Sequence, residues 1–148
     1  MEELILDGIQ ADNVFDVWNE IKPFLAQLRD SVPNRKADPD EKLFLDLVTR
    51  QLQLWIAHDR QRIHSMLITK LEHETGIAQC RIYGLAGSRL RECFPMFDTI
   101  KEWARERGAT QIVANTKPSI LKMVKRLGFK YAGDNAFKQK KIVCDLGD

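Results

Sequence analysis

The chain has no long apolar run: none of its stretches approaches the length of a membrane span, which argues against a membrane protein built of helices. It has little net charge, +2 at neutral pH, too small to imply nucleic acid or a membrane surface by itself. Its first residues, MEELILDGIQADN, are acidic and lack the basic start and apolar core of a secretory signal. Cysteine is scarce: Cys80, Cys93 and Cys144 are odd in number and widely spaced, with no Cys-x-x-Cys pair. That pattern fits reduced thiols in a cytoplasmic compartment better than a disulfide frame, and it argues against a structural metal. What is present is the composition of a globular domain: 44% hydrophobic and 30% charged residues in a 148-residue chain, with one domain over 1–148 as the natural expectation.

The chain is organised around Ile77 to Asn115, where an apolar strand, a small-residue turn, a long amphipathic helix and a second strand follow one another. A strand that ends in Ala-Gly-Ser and enters a helix aims free backbone N–H groups at the turn, an arrangement suited to an anion. Pro95 places the start of the helix proper near Glu92–Phe94 unless a short turn precedes it. Gly108 is expected to close the helix in a left-handed cap.

The elements before and after follow from hydrophobic periodicity. Leu4 to Ile9 is expected as a strand. Val14, Val17, Trp18, Ile21, Leu25 and Leu28 define a helix ending near Asp30, with Pro23 as a point of kinking or splitting. Ser31 to Asp38 is a polar loop, and Asp40 to Gln51 a second helix. Leu52 to Ala57 and Arg62 to Leu71 form an antiparallel hairpin, and Ile77 to Ala86 pairs with the latter through the turn at His73–Gly76. Thr110 to Ala114 comes after a whole helix and can lie parallel to Ile77–Ala86. A helix over Ile120 to Leu127, a strand at Phe129 to Ala132 and a returning strand at Ala136 to Val143 complete the chain. The expected order is β-α-α-β-β-β-α-β-α-β-β, a mixed, mostly antiparallel α/β sheet with helices on both faces.

Several residues admit two readings. His64 is a base in a cleft or a structural histidine. Cys80 is a nucleophile or a buried inert thiol. Lys138, Lys140 and Lys141 touch phosphate or protect an edge strand from aggregation. Arg35 and Lys36 are functional or belong to a solvated loop. Asp38, Asp40 and Glu41 hold an amine or cap a helix.

The element order, the helix end TIKEWARERGA, the strand TQIVAN and the junction MVKRLGFKYAG resemble the GCN5-related N-acetyltransferase (GNAT) superfamily. The order covers nearly the whole chain, the motif resemblance its second half. The chain also looks similar to divergent acetyltransferase-like proteins of bacteriophages and prophages. The resemblance implies transfer of an acetyl group from acetyl-CoA to an amine, without a metal. It implies pantetheine pairing along Ile82, Tyr83, Gly84 and Leu85, pyrophosphate at Ala86, Gly87, Ser88, Arg89, Leu90 and Arg91, and Asn115 facing the cofactor arm.

Two departures stand out. The family's Arg/Gln-x-x-Gly-x-Gly/Ala loop aligns, counting back from Trp103, with Ser88-Arg89-Leu90-Arg91-Glu92-Cys93. Both glycines are missing, Leu90 adds bulk and Glu92 adds negative charge, while Arg89 and Arg91 offer side-chain phosphate ligands in compensation. The family's thiolate-protonating Tyr aligns with Val124, and Tyr83 and Tyr131 do not match its position. No catalytic residue is assigned. His64, Glu72 and His73 are the candidates for a base. The alternative is a catalytically inactive member of the same fold that binds a protein partner or serves as an accessory component. Nucleic-acid binding by the basic tail is the weakest reading, and the end strands offer a route to a homodimer.

Overall fold

A computed structural model of the chain describes residues 3–30, 40–116, 124–134 and 140–147. The expected loop Ser31–Asp38, most of the helix Ile120–Leu127 and the start of the last strand lie outside the described residues. Among those described, seven strands form one mixed sheet in the order β1-β2-β3-β4-β5-β7-β6. The element sequence is β1 (Ile5–Ile9), α1 (Val14–Asp30), α2 (Asp40–Val48), β2 (Gln53–His58), β3 (Ile63–Glu74), β4 (Ile77–Gly87), α3 (Leu90–Cys93), α4 (Phe97–Glu106), β5 (Gln111–Thr116), β6 (Phe129–Asp134) and β7 (Lys140–Asp145), with 3-10 turns at Ala11–Asn13 and Phe94–Met96. Two compact units can be distinguished: Met1–Lys70 with Tyr83–Cys93, and Leu71–Ile82 with Phe94–Asp148.

In the first unit, β1 and β2 pair antiparallel from Ile5/His58 to Ile9/Leu54, and β2 pairs antiparallel with β3. The period-2 pattern sends Leu54, Ile56, Met66 and Ile68 to one face, where they pack with Val14, Ile21, Leu25 and Leu28 of α1 and Leu43 and Leu47 of α2. Full burial of each such aliphatic side chain contributes about 1.5–3 kcal/mol. Trp18 closes on Phe44 edge to face, ring centroids 4.9 Å apart, at the α1–α2 contact. On the other face Trp55 Nε1–H donates to Oγ1 of Thr69 (3.0 Å), giving the buried indole an acceptor.

Pro23 does not split α1. Both Pro23 and Asn19, whose carbonyl loses the i−4 bond, are exposed, so water can take the place of the missing donor. α2 ends at Val48, earlier than Gln51, because Arg50 adopts φ +67° and closes a Schellman motif: Gln51 N–H donates to the Asp46 carbonyl (2.8 Å) and Arg50 N–H to that of Leu47 (3.2 Å).

In the second unit, β4 and β5 run parallel, with Gln79, Cys80 and Arg81 opposite Gln111, Ile112 and Val113. β7 pairs antiparallel with both β5 and β6. The turn between β3 and β4 places Thr75 at φ +52° and Gly76 at φ +81°, the left-handed pair that a two-residue hairpin turn requires. Phe97, Ile100 and Ala104 are the buried stripe of α4, and Phe97 meets Phe129 with centroids 5.4 Å apart. α4 closes as expected: Gly108 at φ +88° lets Ala109 N–H reach the Ala104 carbonyl (3.0 Å). It starts at Phe97, past Glu92–Phe94, because a separate four-residue helix, α3, and the 3-10 turn at Phe94–Met96 precede it, the alternative that the sequence leaves open. Pro95 explains the break, since it cannot donate to the Arg91 carbonyl and its ring obstructs a continuous helix there.

Candidate functional site

The first unit carries a side-chain and backbone cluster where β4 turns into α3. β4 alternates as a strand should: Gly84 and Ala86 are buried and Leu85 is exposed. Gly84 lies under α1, where a Cβ would come within 2.4 Å of Leu28 Cδ1. Tyr83 is half-buried against the apolar core. Gly87 ends the strand at φ +121°, and a Cβ there would come within 2.4 Å of the His64 carbonyl oxygen and 2.5 Å of Ser65 Cα. Only glycine fits this close approach of two backbones.

The turn is pinned by residues distant in sequence. Gly87 N–H donates to Oε1 of Gln27 on α1 (3.1 Å), and Ser88 donates to the His64 carbonyl through N–H (2.8 Å) and Oγ (3.3 Å). Arg89 then adopts φ +57°, the left-handed region that a side chain disfavours. Its guanidinium folds onto Glu92 in a two-pronged pair, Nε to Oε2 at 2.6 Å and Nη2 to Oε1 at 2.7 Å. This pairing holds the Arg89 pKa above its ordinary value and the Glu92 carboxyl below its own. Cys93 closes the turn from the other end, its Sγ 3.4 Å from Ser65 Oγ and 3.5 Å from the Arg89 carbonyl.

His64 is buried, and its Nε2 lies 2.7 Å from Asp59 Oδ2. A carboxylate only accepts, so the ring donates. Asp59 Oδ1 accepts further from the backbone N–H groups of Gln61 and Arg62, each at 2.9 Å. The His64 hydrogen bond, with these two amides, holds the Asp59 carboxyl well below the usual carboxylate range. His64 thus serves the cluster through both ends, its ring tied to Asp59 and its carbonyl receiving Ser88.

The second unit holds the remaining expected residues. Ile82 is half-buried at its place in β4, and Asn115 is exposed on β5, opposite Lys141 of β7. Glu72 accepts from both Gln79 Nε2 and Arg81 Nε through Oε1, each at 2.7 Å, and Gln111 Nε2 donates to Gln79 Oε1 (2.8 Å). His73 is exposed, Cys80 is fully buried, and Val124 is a half-buried helical residue just before the turn at 126–128.

Three partners of the turn were not foreseen from the sequence: Gln27, Asp59 and the Arg89–Glu92 clasp. Asp59-Arg60-Gln61-Arg62 carries the signal of a side-chain-closed turn, and Arg89–Glu92 has the i,i+3 spacing of a helical ion pair. Gln27 has no local signal. Among the described residues, no group of three or more His, Cys, Asp or Glu is arranged to hold a metal ion, and no helix is long and apolar enough to cross a membrane.

The sequence matches no protein-family model, and no curated protein matches it. Solved structures do. An aminoglycoside 6'-acetyltransferase type Ii is 14% identical with a TM-score of 0.73, over 97% of this chain and 98% of that one. The PaiA N-acetyltransferase of Thermoplasma acidophilum, in complex with coenzyme A, is 9% identical with a TM-score of 0.68, over 97% and 99%. An acetyltransferase of the GNAT family from Streptococcus pneumoniae is 12% identical with a TM-score of 0.68, over 98% and 100%. The likeness runs the length of the chains on both sides, and the fold is that of the GNAT acetyltransferases.

Proposed function

We propose that the protein is an acetyl-CoA-dependent N-acyltransferase acting on an amine, with the cofactor's diphosphate held at the turn from Ala86 to Arg91. The observation that carries this reading is the strand–turn–helix itself. In a fold populated by acetyltransferases, β4 ends in a glycine-only turn with a guanidinium at the head of the following helix. Ile82 to Leu85 would take the pantetheine amides, with Asn115 toward the cofactor arm. Direct attack by the amine on the thioester needs chiefly orientation and a route for one proton. Among the described residues one sheet carries the seven strands, which supports reading residues 1–148 as a single domain. The free thiols suit a reducing, cytoplasmic compartment.

A second reading, an inactive binding or accessory protein of the same fold and of the phage-encoded type, is favoured by a specific observation. The Gly87 and Ser88 amides, which would cradle phosphate, are already used by Gln27 and His64. Val124 adds to it, since valine has no proton to give to a departing thiolate.

Thermal denaturation with and without acetyl-CoA separates the readings when paired with turnover on a panel of amines. Ligand at a hundred times its dissociation constant stabilises the folded state by roughly 2.7 kcal/mol, a rise of about 5–10 °C in Tm. A shift with turnover is the expected result. A shift without turnover selects the inactive reading, and no shift at millimolar acetyl-CoA ends the enzyme reading.

A further inference from the structure

We propose that Glu92 is a built-in competitor for the anion-binding guanidinium of Arg89, so that a diphosphate enters the turn by displacing a carboxylate of the protein's own chain. The inference rests on the reading of Ala86–Arg91 as a diphosphate site and adds a residue that sets the affinity of that site.

The geometry points to exchange at Arg89 rather than at the backbone. The N–H groups of Gly87 and Ser88 are committed to Gln27 and to the His64 carbonyl. Gly87 leaves little room for the turn to rearrange toward β3, since even a Cβ placed on it would lie 2.4 Å from the His64 carbonyl oxygen and 2.5 Å from Ser65 Cα. The strongest cationic donor in the turn is therefore a side chain. Arg89 presents two N–H groups in a planar fork, and Glu92 occupies both prongs at 2.6 and 2.7 Å. A phosphate offers two oxygens at the same spacing as a carboxylate and fits the same fork.

The two partners are unequal. The Arg89 side chain is 14% exposed and Glu92 is 45% exposed, so the carboxylate is the outer, displaceable member. The Arg89 main chain is tied to the end of α3, its carbonyl receiving the Cys93 thiol at 3.5 Å. An ion pair with one half-exposed member contributes little, because solvent screens it, so its displacement costs little. A more highly charged diphosphate can then outcompete Glu92, while a singly charged carboxylate ligand gains nothing by the exchange. Glu92 in this way favours polyanions over simple acids at Arg89.

The test measures coenzyme A and inorganic diphosphate binding to wild-type protein, Glu92→Gln, Arg89→Gln and the double variant by calorimetry, with circular dichroism to establish folding. Glu92→Gln keeps the side chain's size and is expected to bind both probes roughly two- to five-fold more tightly, the range that a pair of this strength allows. In the Arg89→Gln background that gain is expected to vanish. A loss of general repulsion would instead persist without Arg89, so a gain retained in the double variant overturns the inference. Unchanged affinity in Glu92→Gln, with coenzyme A binding to wild type intact, also overturns it and leaves the acetyltransferase reading standing. Failure of all four proteins to bind either probe removes both.

Discussion

Asp59 and His64 lock the turn between β2 and β3 to the turn that follows β4: the carboxylate takes the imidazole at 2.7 Å, and the histidine's carbonyl takes Ser88 at 2.8 Å. The ring hydrogen bond, followed by the Arg62 and Gln61 amides, lowers the Asp59 pKa below its ordinary 3.8. A depressed carboxyl pKa stabilises the fold above the unfolded value, and that contribution is lost as pH falls through the folded value. Asp59→Asn is therefore expected to lower Tm at pH 7. Its deficit against wild type should narrow as pH drops below about 4, where the unfolded carboxyl takes up its proton. Melting curves of both proteins between pH 7 and about pH 2 check this, and a gap that stays constant over the range would refute it.

Gly87 and Gly133 have almost the same φ, +121° and +118°, but opposite surroundings. A Cβ on Gly87 would strike the backbone of His64 and Ser65, whereas one on Gly133 meets nothing within 4 Å among the described residues. Gly133→Ala should cost about 1 kcal/mol, the strain of the left-handed conformation alone. Gly87→Ala adds a backbone collision and should cost about 3 kcal/mol or more. Urea denaturation of the two variants separates strain from collision. Equal destabilisation would mean that the close approach of β3 to the turn is not a constraint.

Much of this architecture is legible in the sequence, because it rests on local periodicity. Leu54 and Ile56, then Met66 and Ile68, alternate as a half-buried sheet face must, and Ile21, Leu25 and Leu28 repeat at helical spacing. The end of α4 is equally legible, since Gly108 supplies the left-handed residue by composition. The end of α2 is not, because Arg50 takes the same conformation with a side chain that ordinarily avoids it. The site divides in the same way. The strand–turn–helix shows itself through Ala-Gly-Ser and the stripe of α4. Its occupants do not: the partner of the Gly87 amide stands 60 residues away on α1, and a hydrogen bond across that distance leaves no periodic trace. Glu92 is visible as a charge that would repel diphosphate, but only coordinates reveal that it is paired with Arg89.

Gly84 and Leu28 should behave as one packing unit. The Cβ of an alanine at position 84 would lie 2.4 Å from Leu28 Cδ1, so one of the two must move. Gly84→Ala is expected to cost about 1–3 kcal/mol, and Leu28→Ala about 2–4 kcal/mol as a cavity in the α1 core. In the double variant the new methyl group enters the space that Leu28 vacates, so the combined loss should fall short of the sum by about 1 kcal/mol or more. Additive losses in a double-mutant cycle would show that β4 does not approach α1 closely at this point.

The three cysteines should separate by accessibility and by thiolate formation. Cys80 is fully buried in β4 and Cys144 nearly so in β7, while Cys93 is half-buried at the end of α3. Burial pushes the Cys144 thiol up from its ordinary value, an effect that the nearby charge of Lys101 only partly opposes. Thiolate is the reacting species, so burial slows modification of Cys80 and Cys144 by access and Cys144 additionally by protonation. Brief alkylation of the native protein at pH 8 followed by peptide mass spectrometry is expected to label Cys93 first, with the other two following only on unfolding. Because Cys93 Sγ lies 3.5 Å from the Arg89 carbonyl, bound coenzyme A at the turn should slow that labelling. Labelling of Cys80 or Cys144 at the rate of Cys93 would mean that the sheet opens in the native state far more readily than its packing implies.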